Sequence, residues 1–308
     1  MDLIFGVDSY IKSDQALYLA LGNFDGIHMG HKELINQLVK KAANNKGLSA
    51  AFIFEPHPIK VIRPEKAPKM LVTPERKAKL LDELGLDILI YQDFTREISC
   101  WSPEHFAREI LVDKLAVKEV LVGFNYSFGH KGQGTPELLI TLGKQLGFGV
   151  NVIAPVEVKG HLVSSSLIRQ LLTSGDIPNA AAMLGNEPML QAQIIRGENR
   201  GASLGFPTAN LKVNEDLIIP GPGVYAGKII INKKTFKCVV NIGTKPTFHD
   251  EYPITVEVHI IDFSGDIYGE EVELFFASKL RDEKKFAGIE QLVEQIGKDR
   301  EQAIKITS

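Results

Sequence analysis

Short apolar runs alternate with helical patterns over the first half of the chain. Apolar runs with the length of buried strands span residues 17–21, 50–54, 88–91, 119–122 and 150–154. Helical patterns lie between them, at residues 74–84, 103–111 and 137–146. A further helix is indicated by Ile35, Leu38, Val39 and Ala42 at helical spacing, and Gly47 ends it. Strands separated by helices of this length predict a parallel sheet, which binds ligands beyond the carboxyl ends of its strands.

After Asn186 the pattern changes to tandem strands with few helices, which predicts an antiparallel barrel or sandwich. The expected strands span residues 191–196, 224–231, 235–242, 255–262 and 271–276. A final helix has one apolar face, formed by Ile289, Leu292, Val293 and Ile296. The segment 174–188, with its glycines and prolines, is the expected linker. We therefore expect two domains, residues 1–182 and 183–308.

Length and charge agree with two ordinary globular domains. The chain has 308 residues, 44% hydrophobic and 24% charged, with a formal net charge of −3. This charge offers no polycationic surface, so we expect no nucleic-acid partner. The two cysteines form no disulfide framework, and neither a signal peptide nor a membrane-spanning run is evident. The chain is expected to be cytoplasmic, as a monomer or a weak homo-oligomer.

The first candidate site is the segment 22–31, Gly-Asn-Phe-Asp-Gly-Ile-His-Met-Gly-His, which follows a strand and opens a helix. A helix N-terminus there favours anions, because its backbone N–H groups are unpaired. His28 and His31 can donate hydrogen bonds to phosphate oxygens, and Gly30 leaves room for close approach. Such donors stabilise the charge that develops on phosphate during nucleotidyl transfer.

Residues 28–31, His-Met-Gly-His, match the signature of the nucleotidyltransferase superfamily. The longer segment resembles the prokaryotic bifunctional riboflavin kinase/FAD synthetases, as do residues 54–58, 123–129 and 164–169. The resemblance implies a Rossmann-like domain in which the phosphate of FMN attacks the α-phosphorus of ATP, with Mg²⁺ assisting and pyrophosphate leaving.

The resemblance and the chemistry together assign roles to residues in this domain. The expected ATP-binding residues are Asn23, His28, His31, Asn125, Ser164, Ser165 and Arg169, with His28 and His31 also catalytic. The expected flavin-binding residues are Phe54, His57 and Phe128. A purely structural role, as core aromatics or a rigid loop, stays open for these three residues.

The second candidate site begins with glycines and runs into residues 206–210, Phe-Pro-Thr-Ala-Asn. Its expected ATP- and flavin-binding residues are Gly197, Gly201, Gly205, Pro207, Thr208, Asn210, Asn241 and Arg281. Thr208 and Asn210 supply oxygen ligands suited to Mg²⁺. Together with residues 220–227, 241–243, 246–248, 256–263 and 280–286, this segment resembles the riboflavin kinase domain. The resemblance implies a six-stranded antiparallel barrel with one long helix.

Glu257 is the expected general base of the kinase. Alternation along its strand separates it and His259 from the apolar face formed by Val256, Val258 and Ile260. On the family pattern, Glu257 takes the proton from the ribityl 5′-hydroxyl of riboflavin as that hydroxyl attacks the γ-phosphate of ATP.

The alternatives fall into three classes. One of the two sites could be idle, which would leave a kinase alone or an FAD synthetase alone. The histidine signature by itself also fits another nucleotidyltransferase or an aminoacyl-tRNA synthetase. A non-enzymatic flavin-binding regulator is the third class.

Overall fold

The computed structural model describes residues 1–197, 205–244 and 254–307. The chain forms two compact units: Met1–Lys69 with Pro74–Ser164, and Met70–Thr73 with Ser165–Ser308. The first is built on a parallel sheet and the second on an antiparallel barrel followed by a helix, so the expected fold class is confirmed.

The first unit is built on a six-stranded parallel sheet with the order β1-β4-β3-β2-β5-β6. Its strands are β1 (Asp2–Phe5), β2 (Leu17–Leu21), β3 (Leu48–Glu55), β4 (Ile88–Asp93), β5 (Val117–Gly123) and β6 (Gly149–Ile153). The pattern analysis missed β1. Among the described strands it pairs with β4 alone, at the sheet edge. Its apolar run, residues 3–5, is shorter than a typical buried strand, and Leu3 and Phe5 are exposed.

Helices and short connections complete the first unit. The helices are α1 (Met29–Asn44), α2 (Pro58–Ile62), α3 (Pro74–Glu83), α4 (Pro103–Phe106) and α5 (Pro136–Leu146). A π-helical segment, Ala107–Lys114, continues α4. Short 3₁₀ turns span Val7–Ser9, Pro64–Lys66, Ile98–Cys100 and His130–Gly132, and a small hairpin joins β7 (Glu157–Val158) to β8 (His161–Leu162).

The strand order places a topological switch point between β2 and β5. From β2 the chain continues through α1 to β3 on one side, whereas β5 and β6 extend the sheet on the other side. The loops that follow β2 and β5 therefore border a crevice at the carboxyl edge, where open parallel sheets bind their ligands. Leu19, Val120 and Val122 are fully buried beneath this edge.

The main segment of the second unit, from Ser165 onward, opens with α6 (Ser165–Ser174) and α7 (Ile177–Leu184). The prediction of a linker at residues 174–188 is wrong, because α7 lies inside that segment. Its turn-forming residues are helix caps: the Asp176 carboxylate accepts from the Asn179 N–H at 3.3 Å, and Gly185 adopts the left-handed conformation that ends the helix. The expected domain boundary at 182/183 stays a prediction.

Six antiparallel strands close into a barrel in the order β10-β13-β12-β11-β14-β9. They are β9 (Met189–Ile195), β10 (Ala209–Val213), β11 (Gly223–Ile231), β12 (Lys234–Thr244), β13 (Ile254–Ile260) and β14 (Glu271–Arg281). Of these, β10 has no counterpart among the strands expected from the pattern. Val256, Val258 and Ile260 are buried, as the alternation along β13 predicts.

Helix α8 (Ile289–Ile306) follows the barrel and packs on its outer face. Its Ala303 joins a buried cluster with Val224, Ala226 and Val239. The expected apolar face of α8 is wrong at Ile289, which is 67% exposed in the first turn of the helix.

Candidate active sites

The loop between β2 and α1 brings His28 and His31 together. His28 is the N-cap of α1, and its Nδ1 accepts a hydrogen bond from the His31 backbone N–H at 3.3 Å. The two rings are stacked with their centroids 3.6 Å apart. Because Nδ1 of His28 is an acceptor, the proton of the neutral ring resides on Nε2, the nitrogen able to donate to a phosphate.

His31 is held neutral by its surroundings. Burial, followed by the nearby His28 and Lys77, places the pKa of His31 well below its usual value. The ring meets Phe24 edge-on, with centroids 5.2 Å apart. In the part of the chain that the structure describes, Nδ1 of His31 is buried and has no hydrogen-bond partner. A buried, unsatisfied ring nitrogen at a helix N-terminus fits a ligand group that supplies the missing partner.

Lys77 of α3 joins this site, although sequence reasoning did not select it. It is only 5% exposed, and its Nζ donates to the Asn23 carbonyl oxygen at 3.0 Å. Burial lowers the pKa of Lys77, while Asp25 and Glu55 act in the opposite direction. The sequence did contain a sign that Lys77 is buried. Lys77 stands three and four residues before Leu80 and Leu81, so it lies on the apolar face of α3, where a charged residue is unusual.

The side chains of Asn23 and His57, two of the candidate site residues, also meet. Nδ2 of Asn23 lies 3.1 Å from Nε2 of His57. The other ring nitrogen of His57, Nδ1, accepts from the Ile59 backbone N–H at 3.2 Å and caps α2. The loops after β2 and β3 are thereby joined at the carboxyl edge of the sheet.

Phe54 and Phe128 belong to one aromatic cluster. Both contact Phe106, with ring centroids 6.1 and 5.7 Å away. Phe128 is buried and Phe54 is half-buried, and both pack against the core of the first unit. Asn125 lies exposed in the turn after β5. The two candidate flavin residues thus contact the same phenylalanine, and their contact with flavin stays a prediction.

The remaining candidates of this site are Ser164, Ser165 and Arg169. Ser164 ends the first unit, and α6 begins at Ser165 in the second unit and includes Arg169. All three side chains are half-buried. A helix that starts at Ser165 agrees with the expected position of this motif, and the phosphate-binding role of the three residues stays a prediction.

In the second unit, one row of residues crosses neighbouring strands of the barrel. Glu257 of β13 pairs with Asn210 of β10 on one side and with Asn241 of β12 on the other. Paired residues of neighbouring strands project to the same face of a sheet. The row continues through Val224 to Arg281 of β14. The structure therefore brings Asn210, Glu257 and Asn241 together on the outer face of the barrel, where all three are half-buried.

The segment before β10 is held against the same face. Nδ1 of His259 lies 2.9 Å from the Pro207 carbonyl oxygen, and the His259 ring meets Phe206 edge-on. Thr208 follows and is half-buried. Gly197 lies against the Asn210 amide so closely that a Cβ atom at Gly197 would be 1.9 Å from Nδ2 of Asn210. Gly205 has a positive φ of 82°, which favours glycine.

Arg281 is engaged by the last helix. Its guanidinium forms a fork with the Asp299 carboxylate, in which Nη2 lies 2.8 Å from Oδ2. Its Nη1 donates to the Asp282 carbonyl oxygen at 3.1 Å. The expected phosphate contact of Arg281 stays a prediction. Gly201 and the segment 246–248 lie outside the described residues.

The oxygen donors of the second site suit a hard cation. Thr208 and Asn210 offer neutral oxygens, and Glu257 offers one carboxylate beside Asn210. Among the residues described, no group of three or more His, Cys, Asp or Glu side chains is placed to hold a metal ion. A donor set with few protein charges fits Mg²⁺, which keeps several waters and binds substrate phosphates.

Comparison with known proteins gives a separate family match for each half of the chain. A family model described as FAD synthetase matches residues 10–167, and one described as riboflavin kinase matches residues 184–307. Bifunctional riboflavin kinase/FMN adenylyltransferases are similar over nearly the whole chain. The protein from Bacillus subtilis is 36% identical over 97% of this chain and 95% of its own length. That from Listeria monocytogenes is 39% identical over 92% and 90%.

A solved structure supports the fold. A Streptococcus pneumoniae chain described as a macrolide-efflux protein matches with a TM-score of 0.88 and 28% identity, over 98% of each chain. Across the described residues of the present chain, no helix has the length and apolar character needed to span a membrane.

Proposed function

The chain belongs to the family of bifunctional riboflavin kinase/FMN adenylyltransferases, and on that premise we propose which of its residues carry the two reactions. The protein phosphorylates riboflavin to FMN and adenylylates FMN to FAD, with ATP consumed in both steps. The observation that carries the residue assignment is the pair of assembled sites: the stacked histidines at the start of α1 and the Asn210–Glu257–Asn241 row on the barrel.

In the adenylyltransferase, His28 and His31 bind the phosphates of ATP at the N-terminus of α1. A phosphate oxygen of FMN attacks the α-phosphorus, and the bond to the bridging oxygen of pyrophosphate breaks. Charge accumulates on the departing pyrophosphate, where the Nε2–H of His28 and the backbone N–H groups of the helix stabilise it. Asn23, Asn125, Ser164, Ser165 and Arg169 complete the proposed ATP site.

The flavin of FMN is proposed to lie against Phe54 and Phe128, with His57 at the margin of this site. The two phenylalanines share a cluster beside the loops that follow β3 and β5, so an isoalloxazine ring could contact both of them. Aromatic faces favour such planar ligands through offset stacking and edge contacts.

In the kinase, the Glu257 carboxylate accepts the proton of the riboflavin 5′-hydroxyl. The hydroxyl oxygen attacks the γ-phosphorus of a second ATP, and ADP leaves. Asn241 stands beside Glu257 in the row, and this pairing supports a role for it in orienting the same hydroxyl. A general base must lie within hydrogen-bond reach of the proton that it removes, and cross-strand pairing gives the two residues a shared face.

Mg²⁺ is proposed at Thr208 and Asn210. The ion would neutralise charge on the ATP phosphates when bound. Gly197, Gly201, Gly205 and Pro207 shape the segment around it, and His259 holds the Pro207 carbonyl in place. Arg281 is proposed to contact phosphate through guanidinium hydrogens that Asp299 does not engage.

The remaining features of the protein are proposed on general grounds. Two domains are proposed to divide at 182/183, and the protein is proposed to act in the cytoplasm as a monomer or weak homo-oligomer. Both cysteines, Cys100 and Cys238, are free thiols, which fits a reducing compartment. The net charge of −3 supports the expectation of no nucleic-acid partner.

Chromatographic separation of flavins tests the function directly. Purified protein is incubated with ATP and Mg²⁺, starting from riboflavin in one reaction and from FMN in the other. FAD in both reactions, with FMN as an intermediate in the first, is the expected result. FMN that accumulates without FAD would contradict a working first site. FAD from FMN alone would contradict a working second site, and flavin binding without turnover would favour the regulator.

A further inference from the structure

Lys77 is the first of three residues joined by hydrogen bonds around the loop that carries His28. Its ammonium donates to the main-chain oxygen of Asn23, at 3.0 Å. The side chain of Asn23 contacts Nε2 of His57, at 3.1 Å, and His57 caps α2. Asn23 is thus held by its backbone from α3 and by its side chain from α2.

The burial of an ammonium group at this position has an energetic cost that helix packing does not explain. Removal of a charged group from water is unfavourable in a protein interior, even after relaxation. Lys77 shares the buried face of α3 with Leu80 and Leu81, where an unbranched apolar side chain would fill the same space. The hydrogen bond to the Asn23 carbonyl offsets this cost, and the nearby acidic groups Asp25 and Glu55 favour the charged form of Lys77.

The loop that Lys77 contacts adopts an unfavourable backbone conformation. Phe24 and Ile27 have positive φ values of 47° and 42°, and both side chains are 1% exposed. A non-glycine residue in the left-handed region is energetically unfavourable and persists only where its surroundings impose it. Lys77 binds the residue directly before Phe24, so its hydrogen bond acts at the start of this strained segment.

We propose that Lys77 is a positioning residue for adenylyl transfer, which through the Asn23 carbonyl holds the β2–α1 loop so that His28 and His31 meet the phosphates of ATP. Lys77 acts through the loop and is not itself assigned a contact with substrate. This inference rests on the proposed function of the first site. It predicts that loss of the ammonium slows adenylyl transfer while FMN still binds.

The test compares Lys77→Met with Lys79→Met, a matched control because Lys79 lies exposed on the same helix. For Lys77→Met, we expect kcat of FMN adenylylation to fall at least about tenfold, as misplaced catalytic groups do, with little change in KM for FMN. Riboflavin phosphorylation by the same chain belongs to the second unit and should not change. An unchanged urea midpoint of the first unit reports that this unit is folded. Lys79→Met should match the wild type in both reactions.

A double-mutant cycle with His28→Ala separates positioning from general destabilisation. If Lys77 acts by placing His28, Lys77→Met should cost much less in the His28→Ala background than in the wild type. An equal factor in both backgrounds, or wild-type adenylylation by Lys77→Met, would overturn the inference. If Lys77→Met unfolds the first unit, the same cycle is run with Lys77→Gln. A wild-type protein that makes no FAD from FMN would instead refute the proposed function.

Discussion

Arg281 and Asp299 form a forked ion pair that joins the last strand of the barrel to the C-terminal helix. Nε of Arg281 lies 3.1 and 3.0 Å from the two carboxylate oxygens, and Nη2 lies 2.8 Å from one of them. The Asp299 side chain is 4% exposed, and Gln295 donates to it at 2.9 Å. Arg281 therefore has a structural role in addition to the phosphate contact proposed for it.

Loss of this carboxylate should destabilise the second unit. We expect Asp299→Ala to lower its free energy of unfolding by about 3 kcal/mol, because removal of one partner leaves a partly buried charge uncompensated. Urea denaturation, monitored by a signal from the second unit, measures this change in the free energy of unfolding. Glu294→Ala, which breaks an exposed pair with Lys298 on the same helix, is the control and should have little effect. Equal midpoints for the two variants would contradict the structural role.

Glu257→Gln should abolish most of the kinase activity. The amide keeps the size of the side chain but cannot accept the hydroxyl proton, so we expect kcat for riboflavin phosphorylation to fall by roughly 10²- to 10⁴-fold. FMN adenylylation by the same chain should be retained. Glu271→Gln, at the exposed start of β14, is the matched control. Wild-type phosphorylation by Glu257→Gln would show that another group is the base.

The low pKa of His31 predicts that the first unit loses stability in acid. As the pH falls below about 6.5, a histidine of the unfolded chain takes up a proton, whereas buried His31 stays neutral. The unfolded state then binds more protons, so the free energy of unfolding falls by up to about 1.4 kcal/mol per pH unit until the pKa of folded His31 is reached.

Urea denaturation of the first unit at pH 7.5 and 5.5 checks this dependence. His31→Gln should lose less stability between the two pH values than the wild type does, because its side chain does not titrate. His161→Gln replaces an exposed histidine of the same unit and should keep the wild-type response. The same pH response in His31→Gln and the wild type would refute the prediction.

Gly197→Ala should impair the kinase through Asn210. The new Cβ atom would lie 1.9 Å from Nδ2 of Asn210, so the proposed Mg²⁺ ligand must move. We expect at least about a tenfold loss of riboflavin phosphorylation and a higher Mg²⁺ requirement, since small displacements of positioning groups are costly. Gly297→Ala, whose Cβ atom would meet no atom within 4 Å, is the control. An unchanged Mg²⁺ dependence in Gly197→Ala would contradict the assignment.

Several features were predicted wrongly or not at all, because local sequence patterns are ambiguous or lack the long-range pairing that forms the element. Pro178 and Gly185 lie at the two ends of α7, although the same residue types also mark linkers. Strand β10 is short and obtains its hydrogen bonds from β9 and β13, which are distant along the chain from one another. Ile289 matches the apolar period of α8, yet it lies in the first turn of the helix and remains exposed.

The sequence by itself determined the two architectures and the motifs of both sites. Hydrophobic periodicity indicates which side chains are buried in each helix and strand. The glycine and histidine motifs indicate where the backbone must be unhindered and where hydrogen-bond donors for phosphate are needed. Only the tertiary structure decided which distant groups complete each site. Lys77 reaches Asn23 across 54 positions, and Arg281 reaches Asp299 across 18. Such partners are invisible to local patterns, because a buried charge is stabilised by whichever groups the fold brings within hydrogen-bond distance.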